Sequence, residues 1–259
     1  MKSRYQRLVG RSVWGIIVLL LSLTIQQTEA KTRTVAVLLF DGVELLDFAG
    51  PAEVFIVARD VDGGEPQPFK VITVASSTKP IRTMGGIQVT PSHSYVTAPK
   101  VDIVVVPGGG MSAVDARGIA WIQKASKQSE ITMSVCFGAM LLAKAGILDG
   151  RKATTHRWAL TGLRRAAPKC HVVEGKRFVD AGKVITTGGV TAGIDGALHV
   201  VQRLLGKKAA DWTAQEWMEH RSSTKQSSAK QVQPQSSFQK KSSFQKKSSS
   251  HKNSQADGR

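Results

Sequence analysis

The chain has only two cysteines, Cys136 and Cys170, among its 259 residues. Two thiols are too few for the disulfide framework that holds small secreted domains together, so a hydrophobic core has to hold this fold. A bridge between the two is not expected, because it would block the cysteine that the local pattern places at a strand-to-helix turn.

The N-terminal hydrophobic run is too short to cross a membrane. It covers residues 13–25, which is 13 residues, whereas a spanning helix needs about 20. Basic residues precede the run and polar residues follow it up to Ala30. This layout predicts a secretory signal peptide over residues 1–30, with an uncleaved anchor as the alternative. We therefore expect an exported protein, either periplasmic, in the cell envelope or secreted.

Acidic residues are scarce, with 19 Asp and Glu against 36 Lys and Arg, which gives a net charge of +17. Much of the excess lies at the two ends, and residues 31–220 carry only about +6. Residues 221–259 are mostly Ser, Gln and Lys and predict a disordered basic tail. Such a tail would attract an anionic envelope or cell-surface polymer, or would only keep the chain soluble. Nucleic acid is not an expected partner of an exported protein, and no helix-turn-helix module follows residue 220.

Residues 31–220 alternate apolar runs of strand length with helical stretches. This alternation predicts one α/β domain with a largely parallel sheet and helices on both faces. The first helix is expected to begin around Pro51, since proline is favoured in a first turn. The main strands are predicted at 34–40, 69–75, 101–106 and 131–135, and further helices at 112–129, 137–145, 158–166 and 209–219.

Two features follow predicted strands directly, at the sheet edge where α/β folds place their sites. Gly108, Gly109 and Gly110 follow one strand, and Cys136 lies where the next strand turns into a helix. The cysteine turn resembles a nucleophile elbow, and the positive end of the helix dipole would favour the thiolate. From the pattern alone, a buried structural cysteine and a plain glycine turn are equally good interpretations.

Five ordered segments of the chain are similar to the ThiJ/PfpI family of the class I glutamine amidotransferase-like superfamily. The resemblance covers about residues 34–219, and the order and spacing of the segments make it specific although each motif is short. It is strongest to the branch that contains isonitrile hydratases and the sensor-like domains of AraC-type regulators. The segments are LFDGVELLDFAGPAEVF (39–55), VVPGGG (105–110), SVCFGA (134–139), GILDGRKATTH (146–156) and TGGVTAGID (187–195).

The resemblance implies a flavodoxin-like sheet, a homodimer and a small-molecule substrate. It makes Cys136 the nucleophile and Asp47 the acid beside it, which apolar surroundings can keep protonated until sulfur attacks. Glu44 is a second candidate acid, with a solvated carboxylate as the alternative. His156 is expected near the thiol, either as a proton relay or as a structural histidine. The backbone N–H groups of Gly108, Gly109, Gly110 and Phe137 are expected to form a cradle for the substrate.

Phe137 departs from the family pattern, because protease-like members have histidine at this position and hydratases of this branch have threonine. A phenyl ring neither accepts a proton nor donates a hydrogen bond, so a peptidase is disfavoured. His93, His171 and His199 lack metal-ligand spacing, and neither a metal nor another cofactor is predicted.

Three classes of function follow from these observations. The first is a cysteine-dependent hydratase, hydrolase or lyase acting on a small electrophile such as an isonitrile. The second is a non-catalytic ligand- or redox-sensing domain of the same fold. The third is an exported stress or surface protein that acts through its basic tail. A cysteine enzyme is the interpretation that the segments around Cys136 and Asp47 favour.

Overall fold

A computed structural model describes residues 31–61 and 67–220 of the chain. The predicted signal peptide (1–30) and the predicted basic tail (221–259) lie outside the described residues, so both stay predictions. The two cysteines lie inside them and are both free thiols.

A seven-stranded sheet forms the centre of the described domain. Its strand order is β10–β11–β7–β6–β1–β2–β5, and neighbouring strands are parallel except for the antiparallel edge pair β10 and β11. Two small two-stranded sheets are formed by β3 with β4 and by β8 with β9. The predicted, largely parallel sheet is thus confirmed. In chain order the strands are β1 (Arg33–Leu38), β2 (Phe69–Ala75), β3 (Ile81–Arg82), β4 (Gln88–Val89), β5 (His93–Ser94), β6 (Ile103–Val106), β7 (Ile131–Ser134), β8 (Lys152–Ala153), β9 (His171–Val172), β10 (Phe178–Ala181) and β11 (Val184–Thr187).

The helices cover this sheet and explain why its middle strands are apolar along their whole length. Helix α1 packs against α5 and β2, whereas α2 and α3 both pack against β6. Every residue of β6 is buried, as expected for a strand that is covered on both faces. None of the helices within the described ranges is long and apolar enough to cross a bilayer. The helices are α1 (Leu45–Val57), α2 (Ala116–Gln128), α3 (Gly138–Lys144), α4 (Leu160–Ala166), α5 (Ala192–Leu205) and α6 (Lys207–Trp212).

Helix α1 begins six residues earlier than the sequence predicted. Its N-cap is Glu44, whose side chain accepts a hydrogen bond of 2.8 Å from the amide of Asp47. Glutamate is not among the favoured N-cap residues, so the sequence gives no start signal there, and Pro51 lies inside the helix instead of at its beginning. As a result Asp47 lies in the first turn of a helix.

The loops that follow four adjacent strands all lie at one edge of the sheet. Strand β1 is followed by the loop that leads to α1, β6 by the glycine turn 108–110, β7 by Cys136, and β11 by the loop 188–191. Because these strands are parallel neighbours, their carboxyl ends lie side by side, as is typical of sites in doubly wound α/β folds. The residues predicted to do chemistry therefore meet in one place.

Candidate active site

Cys136 lies in a sharp turn between the end of β7 and the start of α3. Its φ angle is +56°, in the left-handed region that non-glycine residues rarely adopt. Two hydrogen bonds hold this backbone, one from the amide of Cys136 to the carbonyl of Gly188 (2.8 Å) and one from the Thr155 hydroxyl to the carbonyl of Cys136 (2.7 Å). A strained residue that its surroundings hold on both sides is a common feature of active sites.

Glycine at position 138 allows the helix after the cysteine to lie this close to the sheet. A Cβ atom there would come within 2.0 Å of the carbonyl oxygen of Val106, at the end of the neighbouring strand β6. No side chain fits in that space. The strand–turn–helix geometry predicted for this segment is present, whereas the role of Cys136 as a nucleophile stays a prediction.

Asp47 reaches the same edge of the sheet from the first turn of α1. Its side chain is fully buried. One carboxylate oxygen, Oδ2, accepts a hydrogen bond from the amide of Gly108, and the other, Oδ1, accepts one from the amide of Val190, both at 3.0 Å. The carboxylate is therefore held by backbone groups of two different loops, and it interacts with the thiol of Cys136 as a third partner.

Gly108 marks the point where the residues of the site meet. A Cβ atom placed on it would lie 2.7 Å from the amide nitrogen of Phe137, 2.8 Å from Oδ2 of Asp47 and 3.1 Å from Cβ of Cys136. The carboxylate, the cysteine and this backbone N–H therefore pack closely around Gly108, and a side chain at this position would displace them. Glycine at position 108 thus keeps the three groups together.

Burial sets the protonation of the pair. Burial is the main reason why the pKa of Asp47 is raised to about 6. The nearby Glu44 charge acts in the same direction, and the hydrogen bonds from the amides of Gly108 and Val190 act in the opposite direction. Burial also raises the pKa of the Cys136 thiol to about 12, and the negative charge of Asp47 adds to this shift. The prediction that Cys136 is a thiolate is therefore wrong, because burial and the charges of Asp47 and Glu44 outweigh the dipole of a helix of only seven residues.

At neutral pH the pair therefore carries a single proton, which resides on sulfur. The carboxylate of Asp47 is the group that can accept this proton when the thiol attacks. The predicted upward shift of the Asp47 pKa is present, but its size leaves the group ionised at neutral pH. Asp47 is thus positioned first as a base and, once protonated, as an acid.

Glu44 stands at the border of the site. It is partly exposed, and its side chain is used as the N-cap of α1, bound to the amide of Asp47. It acts on the pair through its charge, which raises the pKa of both Asp47 and Cys136. This arrangement gives Glu44 an electrostatic and a positioning contribution.

The glycine turn is only partly available to a substrate. The amide of Gly108 donates to Asp47, and the amide of Gly110 donates to the carbonyl of Gly42 (2.7 Å). The amide of Gly109 has no partner among the residues that the structure describes. Gly109 itself has a φ of +123°, and a Cβ atom there would lie 2.3 Å from the carbonyl of Gly42, so only glycine fits.

Three rings extend from the cysteine toward solvent. The ring of Phe137 contacts that of His156 edge-on, with 5.6 Å between centroids, and His156 contacts Trp158 in the same way at 4.8 Å. Nδ1 of His156 accepts a hydrogen bond from the amide of Trp158 (3.3 Å), so the neutral ring carries its proton on Nε2. Trp158 is 77% exposed, which is unusual for tryptophan. His156 thus lies beside Phe137, and the structure shows no hydrogen bond from it to Cys136 or Asp47.

A separate cavity of about 500 Å³ lies at the other end of the strands. It is lined by residues such as Lys127, Arg151 and Lys183, near the start of β11. Volume alone would point there, but the cavity contains neither the thiol nor the buried carboxylate. Within the described ranges no cluster of three or more His, Cys, Asp or Glu side chains is arranged to hold a metal ion.

Sequence reasoning missed the contribution of Val190. Its φ angle is +54°, and its amide is one of the two donors to Asp47. No local signal marks this position, because a β-branched residue is the last one expected at positive φ. In the sequence, the segment 187–195 is recognisable only as part of the family pattern, which assigns no role to Val190.

Comparison with known proteins agrees with this geometry. The model of the DJ-1/PfpI family matches residues 33–203, which is more than half of the chain. An isonitrile hydratase of Pseudomonas putida is 35% identical over 176 residues, covering 67% of this chain and 72% of that protein. The HTH-type transcriptional regulator GbdR of Pseudomonas aeruginosa is 28% identical over 178 residues, which are 68% of this chain but only 48% of the regulator.

A solved structure gives the same result for the fold. The crystal structure of a ThiJ/PfpI family protein from Pseudomonas syringae superposes with a TM-score of 0.64 at 28% identity, covering 76% of this chain and 80% of that one. The match to the family model, over residues 33–203, contains both Asp47 and Cys136. The chain therefore belongs to the DJ-1/PfpI family.

Proposed function

We propose that this protein is a cysteine-dependent enzyme that adds water to a small electrophile, with an isonitrile as the substrate class. The observation that carries the proposal is the buried pair of Asp47 and Cys136, in which a carboxylate with a pKa of about 6 lies directly beside a protonated thiol, both packed against Gly108. The similarity to an isonitrile hydratase supports the choice of substrate class.

The first step of the proposed reaction needs only groups that the site contains. The thiol of Cys136 attacks the terminal carbon of the isonitrile, its S–H bond breaks, and Asp47 takes the proton. Asp47 then delivers this proton to the same carbon, which leaves a thioimidate on the cysteine. No external oxidant or reductant is consumed, since the sulfur and the proton of the thiol both add to the same carbon.

Hydrolysis returns the enzyme to its starting state. As water attacks the thioimidate carbon, Asp47, again ionised, accepts one of its protons and passes this proton to the nitrogen. The C–S bond of this intermediate then breaks, its hydroxyl proton moves through Asp47 to the departing sulfur, and an N-substituted formamide leaves with the thiol restored. The amide of Gly109 is the donor available to stabilise negative charge as it develops, because the amides of Gly108 and Gly110 have partners within the protein and the amide of Phe137 donates to the sulfur of Cys136.

The row of rings supports an apolar substituent on the substrate. Phe137 directly follows the cysteine, its ring contacts that of His156, and exposed Trp158 continues this surface outward. An apolar or aromatic group attached to the reactive carbon–nitrogen unit would bury area against these rings. In this proposal Phe137 contributes to substrate binding, and His156 contributes as part of the ring surface.

A ligand-sensing domain is the second candidate, since a transcriptional regulator is among the similar proteins. Redox sensing is the weaker form of this candidate. Redox-sensing cysteines are exposed and have a low pKa, whereas Cys136 is 6% exposed and its pKa is raised. A sensor of small ligands would bind its ligand beside the same pair without turnover.

The test is turnover of a panel of alkyl, cyclic and aromatic isonitriles, followed by mass spectrometry of the formamide product. We expect Cys136→Ser to abolish the reaction and Asp47→Asn to lower it about 10²- to 10⁴-fold, as expected for loss of a general base. Cys170→Ser is the matched control and should leave the rate unchanged. Saturable binding of the panel without product would contradict the enzyme and support the sensor.

We further propose that the protein is exported, acts as a homodimer and uses its basic segment 221–259 to bind an anionic surface polymer. The support for export and polymer binding is the hydrophobic run 13–25 and the basic residues at the two ends. The homodimer rests on membership of the family alone. Deleting residues 221–259 should remove binding to isolated envelopes while turnover stays the same. Unchanged binding after the deletion would leave the segment as a solubilising tail. N-terminal sequencing of the protein recovered from its source tests cleavage near Ala30.

A further inference from the structure

The loop 188–191 contacts both members of the proposed reacting pair. The carbonyl of Gly188 accepts the hydrogen bond from the amide of Cys136 (2.8 Å), and the amide of Val190 donates to Oδ1 of Asp47 (3.0 Å). A shift of this loop would therefore move the thiol and the carboxylate at the same time.

This loop is strained and needs restraint from outside. Val190 has a φ of +54°, and for a β-branched residue this conformation is an outlier that persists only where the surroundings enforce it. The bonds to Cys136 and Asp47 are part of that restraint. Further contacts hold the loop from the side away from the pair.

Arg177 supplies these contacts through its backbone and its side chain. Its carbonyl accepts a hydrogen bond from the amide of Gly188 (2.8 Å), and its Nη2 donates to the hydroxyl of Thr191 (3.2 Å). Its Nε pairs with the carboxylate of Asp195, which is buried in the first turn of α5. The other oxygen of Asp195 is bound by Nε2 of His220 (2.8 Å).

We propose that Arg177 is a positioning residue, which acts with Asp195 to hold the loop 188–191 against Asp47 and Cys136. The inference rests on the proposed reaction for its meaning, but the contacts that it concerns exist in the protein without substrate. Arg177 directly precedes β10, and its guanidinium group binds Asp195 at the start of α5 and Thr191 in the loop 188–191.

The shape of arginine is required for this task. A guanidinium group presents several N–H donors in a fixed plane and can bind Asp195 and Thr191 together, whereas an ammonium group is a single charged point. Arg177→Lys should therefore keep the ion pair and lose the contact with Thr191. Arg177→Met should lose both contacts.

The chain offers a matched control in Arg203. Arg203 pairs with Asp180 at 3.2 Å, and Asp180 is also bound by a histidine, His199, at 2.7 Å. Its exposed fraction, 34%, is close to the 39% of Arg177. The two arginine–aspartate–histidine groups thus resemble each other, but only the group around Arg177 contacts the loop beneath Asp47.

The experiment measures amide hydrogen exchange at Val190 and the rate of iodoacetamide labelling at Cys136 in the full chain. The chain also carries Cys170→Ser, so that a single thiol reacts. We expect Arg177→Met to speed exchange at Val190 by about tenfold or more, because this amide loses a restraint that keeps it bound. Labelling at Cys136 should change by a similar factor. Arg203→Met should alter neither, and Arg177→Lys should lie between.

Equal exchange at Val190 in Arg177→Met and Arg203→Met would overturn the proposal. If Arg177→Met does not fold, Thr191→Val removes only the hydrogen bond between the Arg177 side chain and the Thr191 hydroxyl, and it gives the same test. These readouts use no substrate, so they separate this inference from the proposed function. Absence of turnover with a positive exchange result would refute the reaction and leave the positioning role intact.

Discussion

The amide of Val190 donates a hydrogen bond of 3.0 Å to Oδ1 of Asp47, although the two residues are 143 positions apart in the sequence. The bond joins the loop after the last parallel strand, β11, to the helix after the first one, β1. Cys136 lies between them, bound through its own amide to the same loop. The site is thus assembled from loops that only the parallel sheet brings together.

The first prediction concerns the pH dependence of turnover. Asp47 must be ionised to accept the proton of the thiol, and its pKa is raised to about 6. The value of kcat/KM should therefore fall as the pH is lowered through about 6. Steady-state rates on an isonitrile between pH 4.5 and pH 8 would measure this, at roughly half-unit steps around the pKa. A profile that is flat across this range would show that Asp47 is not the base.

The second prediction concerns stability. The carboxyl group of Asp47 binds a proton more tightly in the folded protein, where its pKa is about 6, than in the unfolded chain, where its ordinary pKa is 3.8. The free energy of unfolding should therefore decrease as the pH rises from about 4 to above 6. A shift of about two pKa units corresponds to about 3 kcal/mol. Urea unfolding of the wild type and of Asp47→Asn should therefore give a difference that changes by this amount between the two pH values. A constant difference would contradict the raised pKa.

The third prediction concerns the close packing around Gly108. Gly108→Ala places a methyl group within 2.8 Å of Oδ2 of Asp47 and within 2.7 Å of the amide of Phe137. It should reduce turnover and Cys136 labelling by at least about tenfold, because the carboxylate and the cysteine turn have to shift to make room for the methyl group. Gly85→Ala is the control, since a Cβ atom on Gly85 meets nothing within 4 Å. Equal activity of the two variants would mean that the geometry of the Asp47–Cys136 pair does not control turnover.

The fourth prediction concerns the exposed tryptophan. Trp158→Ala should raise KM for isonitriles with large aromatic groups by about 10-fold and leave small alkyl isonitriles almost unchanged, since only the larger groups reach the ring. Trp217→Ala is the control, because Trp217 is also an exposed tryptophan, at 56%, and contacts Trp212 instead of the site. A uniform effect on all substrates would indicate a structural role for Trp158.

The sequence was sufficient for the main elements of the site. The apolar strand before Cys136 and the small residues after it predicted the turn that the structure contains, and the glycines at 108–110 lie at the strand end where they were expected. Family resemblance connected Asp47 to the cysteine, which no local pattern could do. The α/β sheet followed from runs such as Ile103–Val106, which are apolar without alternation.

Other features depend on distances that no local pattern contains. The protonation of Cys136 reverses the sequence expectation, because it depends on how deeply the thiol is buried and how close Asp47 and Glu44 are. The start of α1 depends on an unusual cap at Glu44. The use of two of the glycine amides by Asp47 and Gly42 becomes visible only when the loops are packed together.

Both amides that bind the Asp47 carboxylate belong to the main chain. Every amino acid except proline carries such a donor, so the side chain at position 190 can be exchanged while the acid keeps its support, provided that the new residue accepts the same backbone angles. The ring surface beside Cys136, in contrast, consists entirely of side chains and changes with each substitution. Under the proposed function, the groups that transfer the proton and the surface that selects the substrate therefore belong to different parts of the molecule, and the surface can change while the proton-transfer groups keep their support.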